Sequence, residues 1–135
     1  MSPLPKRFGT EKPWQNWREI GGKRHYFRSL WDYRYALYLE LLKATGKITD
    51  WQYEPTTFWF EGIKRGTNNY KPDFKVIHLK GNEEYVEVKG YQTPTDLTKW
   101  KRMAKYHPDV KLRIIKGDFF KANNKALKSL ITEWE

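Results

Sequence analysis

Two short segments hold the residues best placed to do chemistry. "YKPDFKV" (70–76) sets a carboxylate, Asp73, at the mouth of a run that reads as a β-strand, and "EYVEVKG" (84–90) carries Glu87 and Lys89 in a second. Side chains alternate faces along a strand, so Tyr85, Glu87 and Lys89 point one way while Val86 and Val88 point the other, toward a core. Whether Asp73 joins them depends on the hairpin register, because a one-residue slip turns every side chain to the opposite face. A two-residue loop at Gly81-Asn82 pairs position 73 with 90 and turns Asp73 away. A three-residue loop at 80–82 sets Asp73 opposite Lys89 and beside Glu87, with Phe74 and Val76 joining the valines. The apolar pattern favours the second register, and Gly81 can supply the left-handed conformation that such loops need.

Two carboxylates that converge repel each other unless a cation sits between them. Hard oxygen donors in a chain without cysteine point to Mg²⁺, with Mn²⁺ expected to substitute. Next to a phosphate, such an ion makes water a usable nucleophile and offsets the charge that develops on the leaving oxygen. Lys89 is placed to position that water or to offset the same charge. The chemistry implied is phosphodiester hydrolysis.

Composition points the same way. Lys and Arg total 26 against 16 Asp and Glu, a net charge of +10 that suits a polyanionic partner, nucleic acid ahead of an anionic membrane surface. The absence of cysteine removes disulfides, thiolate nucleophiles and Cys-based zinc sites, and three histidines leave little for His-rich chemistry. No apolar run approaches the roughly 18 residues of a spanning helix. The opening "MSPLPKRFGTEKPWQNW" lacks the apolar centre of a signal peptide, so a cytoplasmic protein without membrane contact is expected.

A length of 135 residues fits one domain, and the elements that must hold the site can be read along it. Residues 1–28, rich in Pro, Gly and basic side chains, read as an arm with few fixed elements, and 29–135 as the folded domain. "SLWDYRYALYLELLKATG" (29–46) reads as a helix capped by Ser29, stopped at Gly46 and apolar around most of its circumference, hence buried. Strands are expected near 50–54, 56–61, 73–79 and 84–89 as an antiparallel meander, with a fifth at 110–116. A helix over 95–107, with Leu97, Trp100 and Ala104 inward, ends at Pro108, and a closing helix over 123–135 puts Leu127, Leu130, Ile131 and Trp134 on one face. The helix between the last two strands is the crossover that parallel neighbours require, which predicts an α/β fold with a mixed sheet of about five strands flanked by helices.

"PDF" opening one strand and "EVK" in the next resemble the PD-(D/E)xK nuclease motif. Within that superfamily, "RSLWD", "YEP", "YKPDF", "VEVKG" and "HPDVKLRII" follow the order seen in bacteriophage endonuclease I type Holliday-junction resolvases, over roughly residues 26–116. The resemblance implies a restriction-endonuclease-like core and a phage-encoded enzyme working in the host cytoplasm on branched DNA such as four-way junctions. It also implies that Asp73 and Glu87 ligate the metal, that Lys89 is the catalytic lysine, and that Asp32 is the helix acid that completes the site. The Val88 carbonyl would add a further ligand. Asp32 stands where that family usually has Glu; one methylene shorter, it would reach the metal through water. Site-specific and less selective nucleases share the core, and a binding module without catalysis could keep the fold.

Other roles compete for these residues. Ser29-x-x-Asp32 is also a helix-capping pattern, and Glu87 with Lys89 could be a surface ion pair. Glu40 is the alternative helix acid, and Glu54 either sits near the metal or pairs with a lysine. Phosphate contacts are expected from Lys23, Arg24 and Arg28, from Lys64, Arg65 and Lys71, and from the outward face of the 95–107 helix, Lys99, Lys101, Arg102 and Lys105. Paired incision of a symmetric junction calls for a homodimer.

Overall fold

The structure, a computed structural model, describes Trp14 and residues 16–135. In chain order its elements are β1 (Asn16–Ile20), β2 (Lys23–Phe27), α1 (Leu30–Ala44), β3 (Asp50–Tyr53), β4 (Phe58–Trp59), β5 (Asn69–Tyr70), β6 (Phe74–Ile77), β7 (Glu83–Val88), α2 (Pro94–Tyr106), β8 (Leu112–Ile115) and α3 (Gly117–Leu130). The fold is mixed α/β. A four-stranded sheet runs in the order β3-β6-β7-β8, antiparallel except for the parallel β7–β8 pair that α2 connects.

Helix α1 obeys its sequence closely. The Ser29 hydroxyl accepts the Asp32 N–H at 3.0 Å, and the far end closes on Gly46 at φ +73°, with Lys47 N–H donating to the Leu42 carbonyl at 2.8 Å and Gly46 N–H to that of Lys43 at 3.1 Å. Tyr33, Tyr35, Ala36, Leu37 and Leu39 are buried against Phe74, Val76, Val86 and Val88 of the sheet, and Phe120, Leu127 and Ile131 complete that core. The valine face of β7 is therefore the core face, as its alternation requires. The opposite face is covered too, by a second apolar cluster of Phe60, Tyr70 and Met103 with Phe58 and Trp100 around it.

Four expectations need correction. The region read as an arm is ordered from residue 16: β1 and β2 form a hairpin around Gly21-Gly22, at φ +60° and +81°, the conformation that a tight two-residue turn demands. Its inner residues Ile20 and Phe27 enter the main core, so residues 16–28 pack with the domain; residues 1–13 and 15 lie outside the described residues. The expected strand over 56–61 shrinks to β4, which pairs only with β5 and leaves the main sheet with four strands rather than about five. Glu54, at φ +49°, and Pro55, which lacks an N–H, turn the chain out of β3 before the strand can continue. On α2 the buried residues are Asp96 and Met103, while Leu97 is 47% exposed and Ala104 is also exposed. The closing helix begins at Gly117 rather than 123 and ends at Leu130, which is exposed. A Cβ at Gly117 would lie 3.2 Å from the Trp31 ring, a tight contact that glycine avoids.

Phe27, fully buried, tests whether the hairpin is part of the cooperative unit. Phe27→Ala is expected to lower the unfolding free energy by about 3–5 kcal/mol in urea titrations. A loss under about 1 kcal/mol would mean that the hairpin contributes little to the core.

Candidate active site

The β6–β7 register decides which side chains meet. Phe74 pairs with Val86 and Ile77 with Glu83, so one residue further on Asp73 stands across from Glu87. The expected face is correct, but the pairing is shifted by two residues from the expected partner, Lys89. The cause is the turn, in which Gly81 N–H donates to the His78 carbonyl and His78 N–H to that of Asn82, both at 2.9 Å, with Gly81 at φ +89°. The loop thus occupies 79–81 instead of 80–82, and an even shift preserves the face.

Three carboxylates gather at this end of the sheet, each with one oxygen held by a fixed donor. Val88 N–H donates to Asp73 Oδ2 at 2.8 Å, Tyr70 O–H to Glu87 Oε1 at 2.8 Å, and Tyr53 O–H to Asp32 Oδ2 at 2.7 Å. The Asp32 N–H donates to the Ser29 cap, while its carboxylate accepts from Tyr53 on the sheet. Lys89 Nζ lies 3.8 Å from Glu87 Oε2 and 3.2 Å from Asp96 Oδ1. Asp96 also accepts the Thr93 N–H at 2.9 Å, closing a reciprocal capping box at the start of α2. Glu40, the other helix acid considered, points away and accepts the Trp51 indole N–H at 2.9 Å.

Burial makes this cluster electrostatically costly. Asp32 is 5% and Glu87 7% exposed. Desolvation pushes the Asp32 carboxyl up to about 6, with the Tyr53 hydroxyl opposing and the Glu54 charge adding to the rise. Asp73 is raised well above the ordinary carboxylate range by burial and then by the charges of Asp32 and Glu87. Glu87 rises for the same first reason, although Tyr70 and Lys89 pull it back. At the other end of β7 the buried Glu84 is handled differently, with Arg113 Nε at 2.8 Å, His78 Nε2 at 3.0 Å and Lys111 Nζ at 4.0 Å. One end of the strand has Arg113, His78 and Lys111 around its acid, whereas at the other end Lys89 is the only basic side chain paired with the three acids among the described residues.

The donor set suits a hard divalent cation such as Mg²⁺. Among the described residues no group of three or more His, Asp or Glu side chains is arranged to hold a metal ion. Around the rim, Arg28 Nε lies 2.9 Å and Lys71 Nζ 3.9 Å from the Glu54 carboxylate. Lys23, Lys64, Arg65 and Lys101 are exposed. Other expected phosphate contacts have protein partners: Arg24 lies 4.8 Å over the Trp17 ring, Lys99 6.0 Å from that of Tyr70, and Lys105 5.3 Å from that of Tyr106. Arg102 donates to the Thr67 carbonyl and so braces the 60–68 loop.

Sequence reasoning missed Tyr53, Tyr70 and Asp96. Only Asp96 carried a signal, the Thr93-Pro-Thr-Asp96 capping pattern four residues after Lys89. The tyrosines act through contacts that no spacing announces.

A family model described as a protein of unknown function, DUF1064, matches residues 16–122. The chain belongs to the DUF1064 family. The matched span contains the hairpin, the whole four-stranded sheet and all of the gathered acids. No curated protein matches the chain.

For this DUF1064 chain the raised acids predict a pH signature. An acid whose folded value lies above its unfolded value of about 3.9 stabilises the fold below that value, and the contribution is lost as pH rises through the folded value. Without divalent cations, the melting-temperature advantage of Asp32→Asn over wild type should therefore grow between pH 5 and pH 7.5, and added Mg²⁺ should raise the wild-type melting temperature more at pH 7.5 than at pH 5. Parallel thermal profiles for the two proteins would sink this account.

Proposed function

We propose that the chain is a Mg²⁺-dependent endonuclease that hydrolyses phosphodiester bonds in branched DNA, with the four-way junction as its characteristic substrate. The observation that carries this reading is the placing of Asp73 across from Glu87 on β6 and β7, with Asp32 from α1 and Lys89 from the end of β7 on the same side. The resemblance of "PDF" and "EVK" to the PD-(D/E)xK motif, and of the wider order of segments to phage resolvases, supports the same chemistry.

Asp73 and Glu87 would hold the ion, with the Val88 carbonyl beside them and Asp32 reaching it directly or through water. Bound there, Mg²⁺ supplies positive charge to the phosphate oxygens and acidifies water, and Mn²⁺ would do the same. Tyr53, Tyr70 and the Val88 N–H fix the three carboxylates before substrate arrives, so little reorganisation is left to the reacting complex. Lys89, steered by Asp96, presents its ammonium where charge develops on the phosphate. The basic rim contacts the backbone and so favours DNA shape over sequence. Two cuts across a junction require two such sites, which makes a homodimer the working form. Work on phage DNA would place it in the host cytoplasm. No helix among the described residues is long and apolar enough to cross a membrane.

A labelled four-way junction compared with linear duplex, in Mg²⁺ and in EDTA, tests the reading. Wild type should make symmetric, Mg²⁺-dependent cuts near the crossover, and Asp73→Ala or Glu87→Ala should lower the rate by about 10³-fold or more while binding persists. Equal rates on junction and duplex would instead mean a less selective nuclease. Binding without cleavage by wild type would leave a nucleic-acid-binding module.

A further inference from the structure

Glu54 is the only non-glycine residue with a positive φ among the described residues, at +49°, a conformation that L side chains rarely adopt. Three contacts hold it there. Its N–H donates to the Asp73 carbonyl at 2.7 Å, tying it to the start of β6. Its carboxylate, whose side chain is only 16% exposed, meets Arg28 Nε at 2.9 Å and Lys71 Nζ at 3.9 Å. Both cations reach outward, with side chains 60% and 43% exposed. Each also adjoins an element that carries a site acid: Arg28 immediately precedes the Ser29 cap of α1, and Lys71 lies two residues before Asp73. The Arg28 N–H donates to Tyr53 Oη at 3.3 Å, and the same hydroxyl donates to Asp32.

An acid at the rim of a phosphate-binding surface is unfavourable by charge alone. It becomes useful if it fixes cations that would otherwise lose side-chain freedom on binding. Glu54 takes Nε of Arg28, so the terminal nitrogens of that planar fork are not spent on it and can meet a second oxyanion. We propose that Glu54 is a positioning residue that holds Arg28 and Lys71 as a two-pronged clamp for DNA phosphates flanking the bond to be cut. The assignment rests on the DNA-cleaving reading for which phosphates are meant. Its centre is an anion carrying two cations, with a net charge of about +1 facing the backbone.

The two possible roles of Glu54 predict opposite signs. Binding of a labelled four-way junction and of linear duplex is measured in EDTA, where cleavage does not consume the probe, over a series of salt concentrations. If Glu54 positions the cations, Glu54→Gln weakens binding by about three- to tenfold and makes the slope of log K against log salt shallower by about 1–2. In an Arg28→Ala background the same change has a smaller effect, because one prong is already gone. If Glu54 merely repels phosphate, Glu54→Gln tightens binding without flattening the slope, and that result overturns the proposal, as does full additivity with both Arg28→Ala and Lys71→Ala. Lys71→Ala leaves the Arg28 pair intact and reports on the second prong should Glu54→Gln melt early. Wild type that binds no DNA overturns the clamp and the nuclease together. Wild type that binds, loses affinity with Glu54→Gln and never cuts in Mg²⁺ supports the clamp and overturns only the nuclease.

Discussion

The pleat of β6 against β7 is the constraint on which the other features depend. An even register puts Phe74 and Val76 beside Val86 under α1, and by the same alternation it puts Asp73 across from Glu87 on the other face. Core and site are therefore two sides of one decision. A single residue added to or removed from the His78–Asn82 turn would drive Asp73 and Lys75 into the core and lift Phe74 and Val76 out of it, so the turn cannot drift while the fold survives. Gly81, at φ +89°, allows the turn to close with the required number of residues.

The electrostatics of β7 show selective neutralisation. Glu84 is buried with Arg113 and His78 against it, which ties the far end of β7 to its neighbours on both sides. Asp32 and Glu87 are buried and Asp73 half-buried, each with a neutral donor on one oxygen, and the cations nearest them also face other acids: Lys89 lies 3.8 Å from Glu87 and 3.2 Å from Asp96, and Arg28 and Lys71 meet Glu54. Acids raised together by burial and by one another are the pattern of a candidate functional site.

Much of this was legible in the sequence, for identifiable reasons. The capped, nearly all-apolar α1, the alternation of β7 and the crossover helix rest on local patterns, and they gave the fold class and the faces of Glu87 and Lys89. Asp73 joined them because apolar alternation allows only registers of one parity, although it could not distinguish shifts of two residues. The hairpin at residues 16–27 was hidden by charge, since "KRHYF" reads as a basic tail until Gly21-Gly22 is taken as a turn flanked by Ile20 and Phe27. The phase of α2 was misread because its buried face carries an acid, Asp96, that apolar counting discards. Tyr53 and Tyr70 were invisible as site residues because a hydroxyl aimed at a carboxylate leaves no spacing.

The parallel pairing of β7 with β8 also sets an order of events. Parallel neighbours cannot be joined by a tight turn, so the sheet closes only after the whole of α2 has been made and folded back. Asp96, which draws Lys89 to its place, sits in the first turn of that same helix. Closures between segments this far apart in the chain form more slowly than local ones. The end of β7 that carries Lys89 is thus held by contacts far apart in the chain rather than by its own hairpin.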